Sequence, residues 1–403
     1  MTLNMKISKN QFFGFMLMFS AIMISPFYIF PNGFPQPAHV LMLIASIAII
    51  LINRKYCILL LKSNKIFVAF LCWVFSINFI YYLEYKENIF IVNSIYWLYG
   101  FLMLLAALCV FNDKWLVAWI KKLIWIVLFI VLVAYFSYWG NFSYWPRYEF
   151  FFNSPNQLAY FALCISIIYI SVMRGTINVG LLVTYSLAVG IILITGSRSA
   201  YLAFIPVILI LLYFAKGSYK KQFLLIFLPI VIIYTINSLG APWHASNQGD
   251  YLLNDQSVIT NSVDRLKAVA CLNCESYIES QLQVRGYLRI LDFPQYLLFG
   301  AGQGLDDRFN SPYEIHSSLV SILFYYGLVG LILFLVAVYK LFKNKMNILL
   351  LSPIFIYGLF TFGLRAPYFW LALGFMTFIP NIFDHDTNST EPISSFSTQK
   401  VTK

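Results

Sequence analysis

Along the 403 residues, apolar runs recur at approximately 11–30, 36–52, 66–83, 90–111, 123–138, 156–173, 178–195, 199–215, 222–238, 317–339, 346–363 and 368–383. Each is close to the roughly 20 residues a membrane-spanning helix needs. None of the runs contains Lys, Arg, Asp or Glu. Polar residues gather between the runs, chiefly in one long segment, 239–316, and in a Ser/Thr-rich end, 384–403. The pattern predicts an all-α, polytopic integral membrane protein with about 12 transmembrane helices. Nine helices are expected over 1–238, a large outer loop over 239–316, helices ten to twelve over 317–383, and a disordered cytoplasmic tail over 384–403. Within the loop, 262–283 and 284–293 carry apolar residues at helical spacing: Leu266, Ala270, Tyr277 and Leu282, then Val284, Leu288 and Leu291. They predict short amphipathic helices lying along the membrane surface.

Composition excludes a water-soluble globule. With 61% hydrophobic and 11% charged residues, there is too little polar surface to solvate a chain of this size. Pro26, Pro31 and Pro35 follow the first run where a small-residue cleavage site would stand, so that run is expected to remain rather than act as a removable signal. Cys57, Cys72, Cys109 and Cys164 lie in or beside apolar runs and read as small hydrophobes. Cys271 and Cys274 lie together in the long polar segment, without the second Cys or His pair that a zinc site requires.

The formal charge of +11 would suit nucleic acid, but the basic residues sit between apolar runs, where they set orientation. With both termini on the cytoplasmic side, inner segments hold about twice as many Lys and Arg as outer ones. The two sides also differ in kind. Inner segments use lysine almost throughout, whereas the outer set is mostly arginine: Arg147, Arg198, Arg265, Arg285, Arg289, Arg308 and Arg365. Orientation alone has no preference for arginine on the far side. A phosphate-gripping site does, because the guanidinium fork bonds two oxygens and never loses its charge.

Three short stretches on the outer face attract attention: Asn153-Ser154-Pro155-Asn156-Gln157-Leu158-Ala159, Thr195-Gly196-Ser197-Arg198-Ser199-Ala200 and Glu314-Ile315-His316-Ser317-Ser318-Leu319. Each opens an apolar run, and a helix N-terminus binds anions readily. Ser154 is suited to capping and Pro155 to the first helical position. Arg285 and Arg289, four residues apart, would share a helix face and could clamp a diphosphate; the plainer reading is a surface pair neutralised by Asp292. His316 stands where a proton acceptor beside an anion would be useful.

In this order, and with the Gly300-Ala301-Gly302-Gln303-Gly304 and Gly327-Leu328-Val329-Gly330 segments between and after, these stretches resemble the O-antigen polymerase/ligase superfamily of bacterial membrane glycosyltransferases. The resemblance covers roughly 150–335. It departs at the third stretch, where the family often has His-Asn and this chain has His316-Ser317, and it leaves open which of Arg285 and Arg289 is the family's loop arginine. It implies a multi-pass protein of the bacterial inner membrane that transfers a glycan from undecaprenyl diphosphate at the periplasmic face. The implied partners are that lipid-linked oligosaccharide, a glycan acceptor, membrane lipid and a chain-length regulator, with no nucleic acid, cofactor or metal. The expected catalytic residues are His316, Arg198, Arg285 and Arg289; Asn156, Ser197, Glu314 and Arg365 are expected to bind substrate.

A polymerase would extend another lipid-linked repeat unit, and a ligase would deliver the glycan to lipid A-core. The His316-Ser317 departure and the Phe/Tyr-rich sequence favour polymerase. A transporter or flippase is disfavoured, because transporters keep ionisable residues at the midplane and these runs have none. Arg198→Lys is expected to lose most transfer activity although it keeps the charge, since an ammonium cannot reproduce the two-pronged fork. Full activity of Arg198→Ala at matched expression would reduce the residue to a helix-terminal role.

Overall fold

The computed structural model describes residues 7–30, 35–110, 113–137, 139–141, 147–173, 176–215, 218–238, 282–283, 285–310, 314–342 and 345–377. Nearly all of them are helical. In chain order the helices are α1 (Lys9–Phe19, continued as a π-helical turn Ser20–Ile24), α2 (Pro37–Ile52), α3 (Arg54–Ser63), α4 (Lys65–Tyr85), α5 (Ile89–Val110), α6 (Lys114–Phe136), α7 (Pro155–Val172), α8 (Val179–Thr195), α9 (Arg198–Phe214) and α10 (Tyr219–Ser238). There follow a one-turn α11 (Arg289–Asp292), then α12 (Ser318–Leu341), α13 (Lys345–Phe360) and α14 (Pro367–Met376). The amphipathic stretch 262–281, Cys271, Cys274 and the tail 384–403 lie outside the described residues.

Many of the starts are written locally. Asp113 accepts from the N–H groups of Trp115 and Leu116 at 2.8 and 3.2 Å, Asn178 from Leu181 at 2.9 Å, and Ser154 from Gln157 at 3.3 Å with Pro155 at the first helical position. Each cap satisfies an N–H group that the helix itself leaves open.

The expected dozen spans are not found. Among the described residues five helices are long and apolar enough to cross a membrane: α4, α5, α6, α7 and α12. A sixth is obtained if α2 and α3, bent by 96° at their junction, count as one broken span. Most of the other apolar runs fold into shorter helices of 10–17 residues, among them Lys9–Ile24, α8, α9 and α14. At 1.5 Å per residue these reach only about 15–26 Å, short of a hydrocarbon core about 30 Å thick. An apolar run sets composition, not helix length: Gly196 at φ +57° stops α8, while α9 and α13 continue through Pro206 and Pro353 and still remain short.

Burial orders the helices. The spanning portion of α7 is 83% buried against 33% for α4, so α7 is central and α4 peripheral. Every residue of α14 is buried, packed against α5 and α7. With lipid on the outside, such packing rests on close van der Waals fit rather than on release of water. Gly100 of α5 meets Trp370 of α14 so closely that a Cβ would lie 2.2 Å from the indole nitrogen, and the Tyr160 and Tyr357 rings stack at 4.4 Å.

The decisive irregularity is in α12. Gly327 has φ 71° and ψ 179°, which breaks the helix. The freed carbonyls of Phe324 and Tyr325 accept from Ala301 and Gly302 N–H at 3.0 and 2.9 Å, and Leu328 N–H donates to Leu297 O at 2.7 Å. The Tyr326 carbonyl accepts from the Trp73 indole at 2.7 Å. The loop 297–302 is thereby docked along the break, and the backbone groups released at membrane depth are satisfied. The approach is tight enough to exclude side chains: a Cβ on Gly327 would lie 2.3 Å from Leu298 O, and one on Gly300 2.4 Å from Tyr325 O. Gly327→Ala is therefore expected to destabilise the protein by about 2–3 kcal/mol through strain and clash. It should appear as a lower midpoint of thermal unfolding in detergent, with Gly330→Ala, where the neighbours are side chains, milder.

Candidate functional site

The docked loop leads to Gln303, which is buried and bonded on every side. Its N–H donates to Asn78 Oδ1 at 2.9 Å and its carbonyl accepts from Asn93 Nδ2 at 2.7 Å. Its side-chain oxygen accepts from Tyr326 Oη at 2.8 Å and Trp97 Nε1 at 3.2 Å, and its amide nitrogen donates to Glu314 Oε1 at 2.7 Å. Arg365 completes the set with two prongs on Glu314, at 2.8 and 3.1 Å, and a bond to Asn93 Oδ1 at 2.7 Å. Asn78 and Asn93 sit on α4 and α5, within runs that carry no charge. From these two helices amides rather than ions reach Gln303, which avoids the cost of placing a charge within the apolar runs.

Around the corner the three short stretches meet. Arg147 donates to Thr195 O at 2.8 Å and to Asn156 Oδ1 at 2.9 Å, joining the first stretch to the second. Ser197 stands just before α9 without a side-chain capping bond, and its hydroxyl lies 3.3 Å from that of Ser199, which lies 3.3 Å from Thr361 Oγ1. Ser318 donates to Thr361 O at 3.1 Å, which brings in the third stretch. Arg285 donates to Phe360 O at 2.8 Å, while its own carbonyl accepts from His316 N–H at 3.1 Å. Ser317, at the position where the resemblance led one to look for Asn, is turned inward. It donates to Gly358 O at 3.1 Å and accepts from Val320 N–H at 3.4 Å, capping α12.

The two loop arginines have different surroundings. The helix begins at Arg289, and Arg285 lies before it in a turn with Gly286 at φ +71°, so their four-residue spacing is not a shared helix face. Arg289 is buried at 3% exposure and pairs with Asp306, not Asp292; Tyr325 Oη also bonds Asp306. Arg285 is half-buried beside His316. Arg308 donates to Ala301 and Gly302 carbonyls and lies over the rings of Tyr81, Tyr85, Phe90 and Phe309 at 4.6–5.3 Å, clamping the loop to α4 and α5. Arg198 is half-buried at the first position of α9.

The His316 imidazole is exposed and has no hydrogen-bond partner among the described residues. Desolvation by its surroundings, then the charges of Arg285 and Arg289, hold its pKa below the ordinary 6.5. The ring is therefore neutral at neutral pH, with a lone pair to accept a proton. Glu314 differs: both its oxygens are engaged by Arg365, and one also by Gln303.

The sequence pattern gave no role to the Gln303, Asn78, Asn93 and Tyr325 side chains, and no partner to Arg147. The available signal was two asparagines in otherwise uncharged apolar runs. Compared with known proteins, the chain matches no family model and no curated sequence.

The burial of the Arg289–Asp306 pair sets a test. Asp306→Ala strands a buried guanidinium and is expected to cost about 3–5 kcal/mol, whereas Arg289→Met with Asp306→Leu is expected to fold close to normally. Thermal midpoints in detergent measure both. Normal activity of the folded double variant would make Arg289 structural and leave Arg285 as the arginine available to substrate.

Proposed function

We propose that this chain is an O-antigen polymerase: an inverting, metal-independent glycosyltransferase using a glycan donor on undecaprenyl diphosphate. It acts at the periplasmic face of the bacterial inner membrane, with both termini cytoplasmic. The acceptor is the non-reducing end of a lipid-linked repeat unit. The observation that carries the reading is an exposed, neutral, unengaged His316 at the start of α12 with Arg285 beside it. In addition, the protein is a multi-pass membrane protein, and Arg147, Arg285, Arg308 and Arg365 bond to the stretches and the loop that build the candidate site.

The chemistry is one displacement. An acceptor hydroxyl attacks the anomeric carbon, the bond from that carbon to the diphosphate oxygen breaks with its electron pair leaving on the diphosphate, and the hydroxyl proton passes to His316 Nε2 or Nδ1. Arg198 and Arg285 stabilise the departing charge, and the α12 N-terminus adds a favourable dipole. Asn156 and Ser197 position the sugar, while Arg365 fixes Glu314 and through Gln303 the loop.

Deletion of the gene followed by lipopolysaccharide gel analysis tests the reaction. Loss of the ladder with one repeat unit retained is the expected outcome; loss of all O-antigen from the core would make the enzyme a ligase. His316→Gln is expected to lower the rate about 10²–10⁴-fold while donor binding persists, with Glu314→Gln spared. The working form of His316 is neutral, and its pKa is lowered, so the acid limb of kcat/KM is expected below pH 6.5. Arg285→Gln removes one of the lowering charges and should move that limb up; an unmoved limb would detach the histidine from proton transfer.

A further inference from the structure

At the end of the bundle opposite the candidate site, three lysines from three helices converge on one cavity. Lys62 lies in the last turn of α3, Lys65 opens α4, and Lys340 lies in the last turn of α12. Together with Ser63, Asn64, Ile66, Phe67 and Ala337 they line a space of about 230 Å³. No acidic residue contributes to the lining. All three lysines are exposed, and among the described residues none has a carboxylate partner. The α4 N-terminus faces the same space without a side-chain cap, because Asn64 turns its amide back to Leu60 O at 2.8 Å and its side chain accepts nothing from the first turn.

Orientation within a membrane requires only that lysines lie on one side. It does not require residues 62, 65 and 340 to share a concavity, where like charges repel unless an anion sits between them. The helix N-terminus adds the same preference for negative charge. The lining is also two-faced: Ile66, Phe67 and Ala337 are apolar, while lysine, serine and asparagine supply donors. A group that meets both is a phosphate attached to an apolar body.

The surroundings say where such a group comes from. Lys65 and Lys340 close the ends of two membrane-spanning helices that pack side by side, so the cavity stands at the boundary of the apolar layer. The α3 helix turns by 96° from α2 and leaves Tyr56, Ile58 and Leu59 exposed alongside Arg54 and Lys55. That is the composition of a helix lying in the headgroup plane with its apolar residues in the acyl chains.

We propose that the Lys62–Lys65–Lys340 cavity binds the phosphate of an anionic phospholipid. This site is independent of the catalytic reading. It lies at the far ends of α4 and α12 from the loop 297–302, and bound lipid there would tie α3, α4 and α12 together at their lysine ends.

The test uses the purified full-length protein in neutral detergent. Native mass spectrometry would measure retention of phosphatidylglycerol and, as a zwitterionic comparison, phosphatidylcholine. Wild type is expected to retain phosphatidylglycerol preferentially. Lys340→Gln alone should lower that retention about fivefold, and Lys62→Gln/Lys65→Gln/Lys340→Gln about 100-fold, with phosphatidylcholine unchanged. The corresponding triple arginine variant should retain the lipid. Because Lys340→Gln removes a single exposed side chain, it reads the site even if the triple variant fails to fold. Equal phosphatidylglycerol retention in wild type and Lys340→Gln would overturn the proposal. Displacement of the lipid by millimolar inorganic phosphate, with equal thermal stabilisation, would overturn the lipid assignment in favour of a soluble phosphate ligand.

Discussion

The arrangement of this protein depends on how a broken helix satisfies its backbone inside an apolar solvent. At Gly327 the α12 ladder is interrupted, and each released carbonyl or N–H needs a partner that lipid cannot supply. The partners come from the loop 297–302 and from Trp73. The loop is consequently fixed at the depth where the helix breaks, and the residues it carries are fixed with it. Only glycine at 300 and 327 lets the two backbones approach closely enough.

From that docking the polar architecture follows outward. Gln303, delivered by the loop, joins α4, α5 and α12 and hands its amide to Glu314, which Arg365 grips from beyond α13. Arg308 covers the loop from the other side among four aromatic rings. The network uses up the hydrogen-bonding capacity of Glu314 and places Arg289 in a buried pair. Beside it His316 stays exposed, and Arg285, Arg198 and Asn156 are half-buried.

Much of the membrane character was legible along the chain. The uncharged apolar runs fix the solvent, the caps at Ser154, Asp113 and Asn178 mark helix starts, and the segregation of lysine from arginine separates the two ends. The number of crossings was not legible, because hydropathy measures whether a segment tolerates lipid and not whether it is one straight helix. α2 turns by 96° into α3 after 16 residues and Gly196 ends α8 after 17, so runs that look alike by composition give helices of different length and direction.

For the candidate site, the sequence by itself determined the cast of polar and ionisable residues and the stretches that hold them: Asn156, Ser197, Arg198, Arg285, Arg289, Glu314, His316 and Arg365. Only the tertiary structure decided which of them are committed to one another. Arg289 pairs with Asp306, 17 residues away, and Arg365 with Glu314, 51 residues away. Those pairings are set by where the loop docks on α12, and no local spacing encodes that. The physical reason is that an arginine that will hold a buried carboxylate and one that will not are the same residue along the chain until the fold brings a partner within reach.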